Sequence, residues 1–176
     1  MPQAELTSSV TDFPVQPTAD FCDANPDAEV LQNGYRSFGA VSICLGKVET
    51  ISTQDDNSLV KATLTEPGNG RVLLVDNNAS TNCAMLGGDL AQLAARSGWA
   101  GIVINGSVRD VEELKEAPIG IFALASCPRK SKKCGLGIRG RPVRIGGAYV
   151  RRDDIIAADA DGVVFLASWA ARSHHV

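Results

Sequence analysis

The sequence predicts a single α/β domain with a mixed central sheet, a parallel strand-helix-strand unit in its middle and β-rich flanks. Three observations carry the prediction. The apolar runs 72–75 and 101–105 enclose a segment whose Leu86, Leu90, Leu93, Ala94 and Ser97 recur at helical spacing, the pattern of a βαβ unit. A chain of 176 residues, 44% of them hydrophobic, supplies one proper core, and with 21% charged residues it is far from the composition of disorder. In the second half, short apolar runs alternate with Gly-rich turns, the punctuation of antiparallel strands.

Taken in order, residues 1–17 hold Pro2, Pro14 and Pro17 among polar neighbours and read as a flexible leader. Residues 18–167 read as the domain and 168–176 as a C-terminal tail. Thr18 begins a short capped helix, its hydroxyl accepting from the first free amides, and Asn25-Pro26-Asp27 closes it. A strand is expected over 39–50. Asp55-Asp56-Asn57-Ser58 then starts a helix with Leu59, Val60 and Leu64 on one face, which the turn at Pro67-Gly68 ends. The run 72–75, bounded by turns, reads as a strand buried on both faces. The helix over 86–97 stops at Gly98, and the strand 101–105 leads into the turn 106–110. A short helix over 111–116 halts at Pro118 and precedes a strand over 119–124. Residues 142–145 and 148–150 pair around Gly146-Gly147, and 163–166 form a closing strand. Asp153-Asp154 and 159–162 are read as turns, and Trp99, Phe122 and Phe165 as core.

Composition removes several function classes. Both histidines, His174 and His175, fall in the last three residues, which argues against a Ser-His-Asp triad, a Cys-His dyad or a His-rich metal site; chemistry is expected to rest mainly on carboxylates, Arg, Lys, water or backbone. The 20 acids against 17 basic residues disfavour direct nucleic-acid binding, which needs a basic face. Cys22, Cys44, Cys83, Cys127 and Cys134 are odd in number and show no CxxC spacing, so reduced thiols in a cytoplasmic protein are expected. Neither a signal-like N-terminus nor an apolar run of about 18 residues is present, which argues against a membrane role.

Candidate chemistry concentrates between Gly87 and Glu113. Gly87-Gly88-Asp89-Leu90 opens a helix, where glycines and free amides let an anion approach closely. Arg109-Asp110 follows a strand at its carboxyl end, where α/β sheets place ligands, and a right-handed crossover brings the two loops together. An Arg fork binds a carboxylate at two points, and an adjacent Asp offers a hard oxygen ligand to Mg²⁺ or Mn²⁺. Spacing alone leans toward the plainer reading, a surface ion pair in which Asp110 caps the helix beginning at Val111. The basic run Arg129-Lys130-Ser131-Lys132-Lys133 reads as a solvated loop, with a phosphate, RNA or acidic partner as its other reading.

Several segments, Asn82-Cys83-Ala84-Met85-Leu86-Gly87-Gly88-Asp89-Leu90-Ala91, the stretch from Gly98 to Asp110, Ile119-Gly120-Ile121, Cys127-Pro128-Arg129-Lys130-Ser131 and Asp161-Gly162-Val163-Val164, closely resemble the regulator of ribonuclease activity A family. That family also includes class II 4-hydroxy-4-methyl-2-oxoglutarate aldolases and oxaloacetate decarboxylases. The resemblance runs in consistent order over residues 18–167 and implies a three-layer β/β/α fold of the swivelling-domain type, assembled as a homotrimer with pockets between subunits. By position it makes Gly87, Gly88, Asp89 and Leu90 the substrate-contacting turn, Arg109 the substrate-binding arginine and Asp110 the ligand of a divalent cation, Mg²⁺ or Mn²⁺. Glu113 matches an acid often found three residues after that ligand. Aldolase-competent members commonly carry an Asp with twenty residues between it and the arginine; here that position is Gly88. The implied activity is metal-dependent retro-aldol cleavage of 4-hydroxy-4-methyl-2-oxoglutarate to pyruvate, with oxaloacetate decarboxylation. The other reading is a non-catalytic regulator that binds and inhibits a ribonuclease or an associated RNA helicase.

Overall fold

The strand segments 72–75 and 101–104 are buried on both faces, and the reason is that two further layers cover the sheet they form. The computed structural model describes residues 13–32 and 34–168. Most of the leader, most of the tail and both histidines lie outside the described residues.

In chain order the elements are α1 (Thr18–Ala24), β1 (Glu29–Val30), β2 (Arg36–Ser37), β3 (Cys44–Ser52), α2 (Ser58–Leu64), β4 (Val72–Asp76), β5 (Ala84–Leu86), α3 (Gly88–Arg96), β6 (Gly101–Val108), α4 (Val111–Leu114), β7 (Gly120–Ser126), β8 (Ile138–Arg139), β9 (Val143–Ile145), β10 (Ala148–Val150), β11 (Ile155–Asp159) and β12 (Gly162–Leu166). The main sheet runs β1-β12-β11-β3-β4-β6-β7-β2, with β5 on β6 and β8 on β3. Strands β3, β4, β6 and β7 are parallel neighbours, while β11 and β12 are antiparallel. Strand β3 belongs to both parts: residues 44–47 pair antiparallel with β11, and Val48–Ser52 pair parallel with β4.

Side-chain alternation sorts the core into layers. Leu73, Val75, Ile102 and Ile104 face α2, α3 and α4, whose Val60, Leu64, Ala91, Ala94 and Leu114 are buried against them. Val72, Leu74, Val103 and Phe122 point the other way and meet Ile156, Ala158, Val163 and Phe165 of the antiparallel part. The outer face of that part, through Ile155, Ala157 and Val164, packs on Phe21 of α1. The layering is therefore β/β/α with α1 outside, as the sequence resemblance implied. Trp99, Phe122 and Phe165 are core residues, as expected.

Several local readings need correction. The expected strand over 39–50 begins only at Cys44 and runs to Ser52, and α4 ends at Leu114, two residues short of the expected 116. Leu86 is not helical: it ends β5, a three-residue strand beside β6. Thr18 does not cap α1 from outside. It is the first helical residue, and its backbone N–H and hydroxyl donate to Asp159 Oδ2 and Oδ1, both at 2.7 Å. An acid from the end of β11, 141 residues away, thus satisfies the helix start that the sequence assigned to a local threonine.

Two adjacent aspartates before α2 organise the loops at the carboxyl ends of the parallel strands. Asp55 accepts from the Nδ2 groups of Asn77 (3.1 Å) and Asn82 (3.3 Å), tying down the loop after β4. Asp56 is fully buried and accepts from the backbone N–H groups of Ser58, Cys134 and Leu136, tying the loop after β7 to α2. Burial opposes the charge on Asp56, but hydrogen bonds from Ser58, Cys134 and Leu136 outweigh it and hold its carboxyl down at about 2.

Two stability predictions follow from the layering and from these acids. Leu74→Ala, in the layer between the two parts of the sheet, is expected to cost about 2–5 kcal/mol in urea unfolding, because well-packed neighbours on both sides cannot collapse into the space. The Asp56 carboxyl is held below its unfolded value of about 3.9. Its contribution is therefore fully present above that value and is lost as pH falls toward about 2. Urea midpoints measured from about pH 6 down to about pH 3 should fall less steeply in Asp56→Asn than in the parent chain; equal slopes would show that Asp56 is not a source of the acid lability.

Candidate functional site

The carboxyl ends of β3, β4, β6 and β7 all lie on one side of the molecule, because these strands are parallel. The turn after β6 and the start of α3 meet there. Strand β5 sets their register: it pairs with β6 at Ala84–Ser107 and Leu86–Val108, and the Arg109 N–H donates to the Leu86 carbonyl at 2.9 Å. Gly87, next along, is the N-cap of α3.

Asp110 adopts a left-handed backbone, φ 58° and ψ 45°, a conformation Asp tolerates better than most side chains. Its carboxylate does not cap α4. It turns back to α3, where Oδ2 accepts from the Gly88 N–H at 3.1 Å. Arg109 Nε stands 3.7 Å from the same oxygen, with both side chains about two-fifths exposed. At that distance and exposure the pair is worth under about 1 kcal/mol, so the guanidinium is not committed to its neighbour.

The glycines let the Asp110 and Glu113 side chains lie close against the chain, where a Cβ would displace them. A Cβ on Gly87 would stand 2.6 Å from Asp110 Oδ2. A Cβ on Gly88 would run into the carboxylate of Glu113 and lie 2.8 Å from its Cβ. The place that an acid at 88 would take is therefore filled by the Glu113 side chain, reaching over from α4.

Gly87, Gly88, Asp89, Leu90, Arg109 and Asp110 line one cavity of about 240 Å³, so the sequence-derived candidates come together. Glu113 is not in the lining but lies directly behind Gly88. The volume is under the roughly 300–1,000 Å³ usual for drug-sized ligands, which points to a small molecule. Lys130, Ser131 and Lys133 of the loop after β7 line the same cavity, as do Asn57, which precedes α2, and Lys61 of α2. The basic run is thus not simply a solvated loop: two of its lysines face the site. These cavity residues were missed, although the rule that singled out Arg109, that ligands sit beyond strand carboxyl ends, applies equally to the loop after β7.

Among the described residues no group of three or more His, Cys, Asp or Glu could hold a metal ion, and no helix is long and apolar enough to cross a membrane. All five cysteines are free thiols. Burial, with smaller contributions from Asp55 and Cys127 and against the opposing charge of Lys132, leaves the Cys83 thiol pushed up to about 11.

A family profile described as RraA-like, Aldolase/RraA, matches residues 18–165. A Burkholderia mallei protein provisionally named a 4-hydroxy-4-methyl-2-oxoglutarate aldolase is 46% identical over 153 residues, which cover 84% of this chain and 93% of that protein. Among solved structures, the RNA-processing inhibitor RraA from Thermus thermophilis is 43% identical with a TM-score of 0.83, covering 86% of this chain and 92% of that one. A protein described as an S-adenosylmethionine:2-dimethylmenaquinone methyltransferase from Geobacillus kaustophilus is 38% identical with a TM-score of 0.84, covering 86% and 95%. The three names differ widely for one shared fold, so the choice between them falls to the site. The match along the whole domain and the identity to the Burkholderia protein show that the chain belongs to the RraA-like, Aldolase/RraA family.

Proposed function

We propose that the chain is a divalent-metal-dependent lyase that cleaves 4-hydroxy-4-methyl-2-oxoglutarate to release pyruvate and decarboxylates oxaloacetate. The observation that carries the reading is the Arg109-Asp110 turn, presented at the start of α3 to a cavity sized for a small acid.

The donor set fits Mg²⁺ or Mn²⁺. The Gly88 amide and Arg109 both meet Asp110 Oδ2, which leaves Oδ1 as the hard oxygen for a cation. Mg²⁺ ordinarily takes one or two carboxylates and completes its shell with water and substrate, so a single carboxylate suffices. A bound Mg²⁺ or Mn²⁺ would supply Lewis-acid stabilisation of the enolate oxygen. The chain's own residues do the rest. Arg109 takes the carboxylate of the 2-oxo acid at two points. The amides of Asp89 and Leu90, which have no partner within α3, add positive potential at the cavity wall. The C4 hydroxyl gives its proton to solvent water and its oxygen becomes the carbonyl of one pyruvate, while the C3–C4 bond breaks and leaves its electron pair on C3 as the enolate of the second, which is then protonated; oxaloacetate loses CO₂ to the same enolate.

A Schiff-base lysine is not favoured. Lys115 is exposed and paired with Glu112 at 2.8 Å, and Lys61, Lys130 and Lys133 are exposed, without the desolvation that activates such an amine. The assembly that goes with the reading is a homotrimer in the cytoplasm. Exposed Leu136, Ile138 and Tyr149 are apolar surface that such an assembly could cover, and sedimentation velocity reads the stoichiometry directly. A second reading, a regulator that inhibits a ribonuclease or an associated helicase, is favoured by the 43% identity to the Thermus RNA-processing inhibitor. Unchanged cleavage rates when the chain is titrated into a ribonuclease E assay, with and without the helicase, would count against it.

Asp110→Ala is expected to lower Mg²⁺-dependent pyruvate release by about 10²–10³-fold, read with a lactate dehydrogenase couple. Equal turnover in the parent and Asp110→Ala would sink the lyase reading. Gly88 and Glu113 yield a sharper outcome. Because an acid at 88 competes with Glu113 for one place, Gly88→Asp alone should lower both turnover and thermal stability, and Gly88→Asp/Glu113→Ala should recover both. No recovery in the double variant would show that Glu113 does not stand in for the acid.

A further inference from the structure

Cys83 and Cys127 are far apart in sequence but neighbours in the fold. Cys83 lies just before β5, and Cys127 just after β7. Backbone bonds hold both in place: the Cys127 N–H donates to the Val108 carbonyl of β6 at 2.8 Å, and the Ala84 N–H donates to the Arg129 carbonyl at 2.7 Å, with Ala84 bridged to Lys130. The Cys127 thiol donates to the Asn82 carbonyl at 3.6 Å. That carbonyl belongs to the peptide bond leading into Cys83, and its oxygen lies about 2.8 Å from the next Cα, so the Cys127 sulfur stands within about 6.5 Å of the Cys83 Cα.

Strand alternation puts the two side chains in one layer. Ile121 and Ala123 of β7 face the helices, and the alternation carries that face on to Cys127. Cys83 is buried in the same cluster. Their exposure differs. Cys127 is partly exposed and is followed by Arg129, Lys130 and Lys132, the accessible, electropositive setting in which thiols meet oxidants. Cys83 is 4% exposed, and its thiol donates to the Asp55 carbonyl at a long 3.8 Å. Burial first, and then the charges of Asp55 and Cys127, push that thiol up to about 11, so it is not the sulfur that an oxidant meets first.

We propose that Cys83 and Cys127 are a peroxide-sensitive pair that closes to a disulfide, stapling the start of β5 to the loop after β7. The oxidant is hydrogen peroxide. The Cys127 thiolate attacks one peroxide oxygen, the O–O bond breaks and the other oxygen leaves as water, with Cys127 now a sulfenic acid. Cys83 then gives up its proton, its sulfur attacks the Cys127 sulfur, and the sulfenic oxygen leaves as a second water. The two thiols lose two electrons and two protons, and the peroxide takes up both. Closing the bond asks Cys83 to leave only its weak contact with the Asp55 carbonyl. The staple clamps two walls of the cavity, because β5 holds the Arg109 amide through the Leu86 carbonyl and the loop carries Lys130 and Lys133. It acts on the cavity whichever reaction the cavity serves.

The full chain, reduced and then treated with hydrogen peroxide, tests the pair. Thiol titration in guanidinium chloride should find two of the five thiols lost, and proteolytic mapping without reductant should find the Cys83 and Cys127 peptides linked, with dithiothreitol reversing both. Cys134→Ser should retain the link. Cys127→Ser, at a partly exposed position, should form no link within the chain. Cys83→Ser should hold Cys127 as a sulfenic acid that dimedone traps. In the oxidised parent the amides of 129–133 should exchange with deuterium about tenfold or more slowly than in the reduced parent. An oxidised parent with no linked peptide, or with Cys127 joined to Cys134 or to a second chain, overturns the pair. Unchanged exchange over 129–133 in a linked chain overturns the clamp on the cavity.

Discussion

The site depends on one close approach, that of the turn after β6 to the first residues of α3. Two glycines permit it. Without a side chain at 87, the Asp110 carboxylate can lie over the chain and take the Gly88 amide; without one at 88, Glu113 can reach in from behind. The left-handed backbone at Asp110 aims its side chain back toward α3 instead of along α4, where a helix cap would ordinarily point. A conformation that is uncommon for a non-glycine residue is thus held by a hydrogen bond from another element, the usual circumstance of strain at a functional turn. Arg109, one residue earlier, is held at its backbone by β5, so the two side chains are fixed through different elements and need not move together.

That approach is possible because β3 divides its pairing between two parts of the sheet. Its first half holds the antiparallel part and its second half starts the parallel stack. The parallel stack gathers four loops at one end, and Asp55 and Asp56, immediately after β3, hold two of them. Both carboxyls are brought down to about 2 by the hydrogen bonds they accept, although burial opposes their charge. Such acids stay ionised through the neutral range and give the cavity a rigid rim on the side of the lysines.

Much of this architecture was legible in the sequence, for reasons that are local. The runs 72–75 and 101–105 announce buried parallel strands because both faces are covered, and Arg109-Asp110 was found because its place beyond a strand end follows from chain order alone. What was not legible depends on partners distant in sequence. Thr18 looks like a cap until Asp159 takes its amide, and Asp56 looks like a helix start until Cys134 donates to it. Strand β5 is three residues long, too short for periodicity to separate it from the helix that follows. Gly88 read as a missing acid because sequence shows the absent side chain but not the Glu113 carboxyl that fills its place.

The lysine loop exposes a different limit, that of net charge as a descriptor. The chain carries a formal charge of −3, which disfavours a nucleic-acid groove. Yet a small anion responds to the few charges within a Debye length of about 8–10 Å, not to the total. At this cavity the balance is four cations against two acids, in a protein that is acidic overall. An acidic exterior around a cationic cavity repels polyanions as large as RNA while admitting a small anion that can pass inside the screening distance. The same distribution supports the proposed carboxylate site and, in the regulator reading, contact with a ribonuclease through protein rather than competition for its RNA.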